Sequence, residues 1–198
     1  MSRILGRAIA ALGRLARWMN LAAGWLFVVC AFFITLEVFA RNFLGFSTRS
    51  TTELSGYMLA IGIAWGLANA LAERAHVRID IFINRLPDGL RQWLHAVALA
   101  CLLALAVAMA YGAWYITGES IEFRAADMTG LRTPLAIPQG LWAAGFFVFA
   151  GLCVVMLARA VLLLVRGQGA EVDRLLGSRT YQDEAQEVLD AIGKGERR

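Results

Sequence analysis

TPLAIPQGLWAAGFFVFAGLCVVMLA, residues 133–158, runs without a single Asp, Glu, Lys or Arg. A helix needs about 20 apolar residues to cross a hydrocarbon core of about 30 Å, and this stretch is long enough. Outward from it, three more uncharged stretches cover residues 18–36, 54–72 and 92–118. Hydrocarbon offers no water to backbone N–H and C=O groups, so each stretch must satisfy its own, as a helix does. The expected fold class is therefore all-α: a four-helix integral membrane protein with spans near 18–43, 53–72, 92–118 and 134–158. With 198 residues and 59% hydrophobic composition, one compact unit is expected.

Charge at the span ends sets the orientation. Arg3, Arg7, Arg14 and Arg17 precede the first span; Arg74, Arg78, Arg85 and Arg91 lie in the second connection; Arg159, Arg166, Arg174, Arg179, Lys194, Arg197 and Arg198 follow the fourth. The other side holds only Arg41, Arg49, Arg124 and Arg132. Both termini are thus expected in the cytoplasm and the first and third connections outside. The same distribution accounts for the net charge of +4, and no nucleic-acid partner is expected. The first 17 residues lack a short apolar core with a small-residue cleavage site, so a cleaved signal peptide is not expected.

Two stretches outside the spans are amphipathic. In residues 1–17, MSRILGRAIAALGRLAR, the four arginines fall within an arc of roughly 80° and Ile4, Leu5, Ile9, Leu12 and Leu15 lie opposite. This predicts an interfacial helix whose arginines meet anionic headgroups. In the second connection Ile79, Phe82, Leu86 and Leu90 recur at helical spacing, predicting a surface helix over 77–91 that is broken or kinked near Pro87. Residues 161–198 read as a polar cytoplasmic tail, solvated by default.

Few residues carry chemistry. Glu37 and Arg41 lie four apart near the outer end of the first span, with Glu on the favourable N-terminal side. An acid in a membrane helix marks a functional site by default, but a snorkelling carboxylate paired with Arg41 accounts for this one structurally. Ser50-Thr51-Thr52-Glu53 matches a capping box at the start of the second span. Gly62 and Gly66 form a small-residue step suited to close helix packing, within the chain or against another. Cys30, Cys101 and Cys153 each fall inside a span without CxxC spacing and read as small buried side chains. His76 and His95 are placed at a connection and a span mouth, which disfavours a bis-histidine haem. No cofactor or metal is expected, and no nucleophile with a base or paired catalytic carboxylates suggests an enzyme.

The order of short strings along the spans then resembles a known family. Glu37 with Arg41-Asn42-Phe43 closes the first span, and Thr52-Glu53-Leu54-Ser55-Gly56-Tyr57 opens the second. Ala72-Glu73-Arg74 leads into His76-Val77-Arg78-Ile79-Asp80, followed by Leu86-Pro87, Thr133-Pro134 and Ile137-Pro138-Gln139-Gly140. Together these resemble a DctQ-type small permease subunit of tripartite ATP-independent periplasmic (TRAP) transporters, over roughly residues 18–160. The resemblance implies a bacterial inner-membrane subunit, in the lipid bilayer, that lacks its own substrate site. Its implied partners are a large permease subunit, which couples organic-acid uptake to sodium, and a periplasmic substrate-binding protein. It implies structural or interface roles for Arg41, Glu53, His76 and Asp80. A self-sufficient small channel or transporter, or a membrane anchor of another complex, are the alternatives; the first needs a polar track through several spans, and the first and third are uniformly apolar.

Overall fold

A computed structural model describes residues 2–47, 50–74, 86–128 and 132–177. Helix α1 spans Ser2–Phe39 and ends in a π-helical turn, Ala40–Leu44; α2 spans Thr51–Ala72, α3 Asp88–Glu122, α4 Ala136–Val165 and the short α5 Gly169–Leu176. Four of these are long and apolar enough to cross a membrane. The chain is an all-α membrane protein whose four spans run up, down, up and down.

At 1.5 Å per residue, α1, α3 and α4 extend to about 57, 52 and 45 Å, well beyond a hydrocarbon core of about 30 Å. Much of the excess lies at one end, called basal here, which holds the start of α1, the end of α2, the start of α3 and α5. Residues 1–17 were expected as a separate helix, but α1 passes from Ser2 through the charge boundary at Arg17 and Trp18 without a break. The reason is a stripe in constant phase: Ile9, Leu12, Ala16, Met19, Ala23 and Cys30, spaced by threes, fours and a seven, lie on the inner face. A helix start was likewise expected near 92, yet 88–91 form the first turn of α3, directly after Pro87 with its extended ψ of 145°. Residues 75–85, which hold most of the expected surface helix, lie outside the described residues.

Helix α4 is the axis. It packs against α1, α2 and α3, whereas α3 packs chiefly on α4 and α1 on α2 and α4. Small residues make this possible. Ala106, Ala110 and Ala113 on α3, Ala64 and Ala68 on α2, and Ala143, Ala150 and Ala160 on α4 are all buried, so backbones approach closely around Phe146 and Phe149. Lipid supplies no hydrophobic drive between helices, so this contact area and its dispersion energy hold the spans together. One span's backbone comes close to another's at Gly145 of α4, where an added Cβ would come within 2.8 Å of the Ala64 carbonyl carbon.

The end opposite the basal one is closed by specific devices. After the π-helical turn, Gly45 takes a left-handed φ of 64° and turns the chain toward α2. At the same end Leu135 N–H donates to Ala125 O at 3.0 Å and Asp127 N–H to Thr133 O at 3.1 Å, drawing the α3–α4 loop into a narrow hairpin. Pro138 sits in the first turn of α4, where its missing N–H costs nothing.

Candidate functional site

The charged groups gather at the two ends of the spans, and the broad faces are apolar. Among the described residues the buried polar side chains are Ser50, His95, Thr117 and Ser120, each in the first or last turns of a span or at a cap. Thr117 Oγ1 donates to Ala113 O one turn back at 2.7 Å, so its polarity is consumed locally. No polar track crosses the middle of the bundle among these residues.

The end opposite the basal one carries three of the candidates. Glu37 accepts a hydrogen bond from Ser47 Oγ at 2.7 Å, tying the end of α1 to the following connection. Arg41 lies in the π-helical turn with its side chain exposed. Glu53 is in the first turn of α2 and half-buried. Ser50 is the N-cap residue, but the capping box expected there is not realised in full. Its backbone is helical, with φ −104° and ψ −5°, and its side chain makes no cap hydrogen bond. A capping side chain reaches the free N–H groups from an extended backbone, which Ser50 lacks. Tyr57 Oη donates to Asp127 Oδ2, docking the α3–α4 hairpin onto α2. Neither residue was singled out from the sequence, because the pair is 70 positions apart and both types are ordinary in a helix end and a loop.

Gly62 and Gly66 both face α1. A Cβ on Gly62 would overlap the Phe27 ring, at 2.5 Å, and one on Gly66 would lie 3.7 Å from Asn20 Oδ1. Of the cysteines, Cys30 and Cys153 are buried, but Cys101 is exposed, on the side of α3 turned away from α4. Residues 75–85 include His76 and Asp80, so both candidates lie outside the described residues.

The basal end holds a cluster that composition concealed. Within the expected polar tail, 161–165 complete α4, and α5 folds back with Val172 and Leu176 fully buried. Asp173 Oδ2 accepts from Arg91 Nη2 at 2.7 Å, and Asp173 Oδ1 lies 3.9 Å from His95 Nε2. Arg91 and His95 are one helical turn apart, so α3 presents both to the same carboxylate. Arg74 Nη1 donates to Arg174 O at 2.8 Å, satisfying a carbonyl at the end of α5. Residues 178–198 lie outside the described residues.

The broadest feature is the outward face of α1. Trp18, Leu21, Trp25, Val28, Phe32, Leu36, Phe39 and Phe43 recur every three or four residues and are all exposed, with Trp18 at 71% and Phe43 at 74%. Its membrane-spanning stretch is the least covered of the four, and that of α4 the most.

With this geometry in hand, comparison with known families places the chain. The family described as tripartite ATP-independent periplasmic transporters, DctQ component, matches residues 31–167. No curated protein and no solved structure matches it. The chain belongs to the DctQ family and is a small membrane subunit of a TRAP transporter.

Proposed function

We propose that this DctQ component serves as a fixed scaffold for the large permease subunit, in a sodium-coupled transporter of organic acids in the bacterial inner membrane. The observation that carries the reading is the division of α1 into two faces. Its inner stripe mixes small and aliphatic residues packed against α2 and α4; its outer stripe is largely aromatic and uncovered from Trp18 to Phe43, a length of about 37 Å. Such a stripe offers large, rigid contact area to a second membrane protein. The unbroken spans and the lack of a mid-bundle polar track among the described residues fit a supporting subunit better than a self-contained channel. The arginine distribution supports a cytoplasmic position for both termini. On that orientation the Tyr57–Asp127 hairpin faces the periplasm, where it is proposed to help dock the binding protein.

Reconstitution tests the scaffold role. Proteoliposomes with the large permease and binding protein should take up solute on a sodium gradient only when this chain is included. Full uptake without it would overturn the reading.

A further inference from the structure

The basal end contains a cavity of about 440 Å³ into which four arginines converge: Arg14 and Arg17 from α1, Arg74 from the end of α2, and Arg174 from α5. Ile9, Met156 and Leu175 supply apolar wall, and Glu73 is the acidic residue lining it. A second cavity of about 490 Å³ is lined by Trp18, Asn20 and Leu21 together with the same Arg14 and Arg17. The two spaces therefore share Arg14 and Arg17 as lining residues. Arg14 and Arg17 are also the last charges before the uncharged span that begins at Trp18, which sets them at headgroup depth.

From this arrangement we infer a binding site for an anionic phospholipid, with its phosphate among the four arginines and an acyl chain along the Trp18–Leu21 groove. Four guanidinium groups against one carboxylate leave a local excess of positive charge. Like charges gathered at one end repel, and an entering anion relieves that. Guanidinium forks match phosphate oxygens bidentately, which a zwitterionic headgroup's ammonium would oppose. Arg74 holds a left-handed φ of 57°, a conformation uncommon for a side-chain-bearing residue, while one of its nitrogens is bound to Arg174 O. A guanidinium carries further N–H donors beyond that one bond. The adjoining apolar groove selects a lipid over a free phosphate ion, which would fill the arginine cavity alone. The site joins α1, α2 and α5, so an occupant would tie the basal end together from the membrane side. This inference goes beyond the transporter role and does not depend on it.

The test uses the full chain, purified and delipidated, with lipid retention followed by native mass spectrometry. The probes are phosphatidylglycerol, phosphatidylcholine with the same acyl chains, and sodium phosphate. Wild type should retain phosphatidylglycerol in preference to phosphatidylcholine, and the double substitution Arg14→Gln with Arg17→Gln should weaken that retention by about tenfold or more. Arg166→Gln removes one charge at the same end, as Arg174→Gln does, but away from both cavities, and should leave retention within about threefold of wild type. Arg174→Gln keeps the carbonyl that Arg74 binds and should weaken retention even if the double variant fails to fold. Equal retention of the two lipids, equal loss in Arg166→Gln, unchanged retention in Arg174→Gln, or displacement of phosphatidylglycerol by equimolar phosphate would each overturn the site.

Discussion

Substituting Asp173 by Asn should loosen α5 from the basal end while leaving the four spans intact. An isolated helix of eight residues is not stable, so α5 exists because it is docked. Val172 and Leu176 are 0% and 1% exposed and lie beyond the uncharged span of α4. Burying two such side chains from water contributes about 1.5–3 kcal/mol each. The Arg91–Asp173 contact is 2.7 Å long with its side chains 24% and 22% exposed, so it is shielded enough to count. A hydrogen bond to a charged group contributes about 1.5–3 kcal/mol, and the residual exposure argues for the lower part of that range, about 1.5–2 kcal/mol. Asparagine keeps the shape and removes the charge facing both Arg91 and His95. Local opening of α5 should then become about ten- to thirtyfold more frequent. A cysteine at Leu176 reports it, since the thiol reacts with maleimide only when α5 lifts away. The labelling rate of Leu176→Cys should rise by that factor on adding Asp173→Asn, and should not change on adding Glu171→Gln, which alters an exposed acid on the same helix. A rate within about twofold of the parent in the Asp173→Asn background, a difference of only about 0.4 kcal/mol, would refute the clamp.

Gly145→Ala should destabilise the bundle by about 1–3 kcal/mol, because the new methyl group meets the Ala64 backbone at 2.8 Å and backbone cannot swing aside as a side-chain tip can; thermal unfolding in detergent measures it. Tyr57→Phe should release the α3–α4 hairpin from α2 at a cost of about 1–2 kcal/mol, seen as faster amide exchange at residues 125–128 with the spans unaffected. Phe32→Ala, on the uncovered face of α1, should change the thermal stability of the chain alone by less than about 0.5 kcal/mol yet reduce co-purification of the large permease; equal recovery would remove α1 from the interface. For orientation, a cysteine replacing the fully exposed Met128 should be labelled from outside intact cells, and one replacing Glu171 only after permeabilisation; the opposite pattern would invert the topology.

The resolution of α1 illustrates how far sequence reading carries and where it stops. Arginines in one arc over residues 1–17 look like a surface helix, and a boundary at Trp18 follows from charge alone. The stripe Ile9, Leu12, Ala16, Met19 and Ala23 crosses that boundary without losing phase, which is the signal for one continuous helix. The same holds at the other terminus. Gly169–Leu176 is short and carries three charges in eight residues, so composition suggests solvent, yet Val172 and Leu176 stand one turn apart and Asp173 between them finds Arg91 from 82 residues away. Long-range partners of this kind leave no periodic trace in a single chain. The capping box at Ser50 shows the converse: a matching string whose backbone does not adopt the capping conformation.

What the sequence determined alone is the number of spans and the all-α class, because uncharged length in hydrocarbon admits only helices. Its ordered strings also carried the family resemblance. What only the tertiary structure decided is which face of each helix is used: that α4 is the axis, that Gly62 and Gly66 turn toward α1, and that the aromatic side of α1 is left uncovered. The physical reason is that lipid is as apolar as leucine. Hydrophobicity therefore marks every face of a span alike, and only close packing and buried charge pairs distinguish the faces that meet.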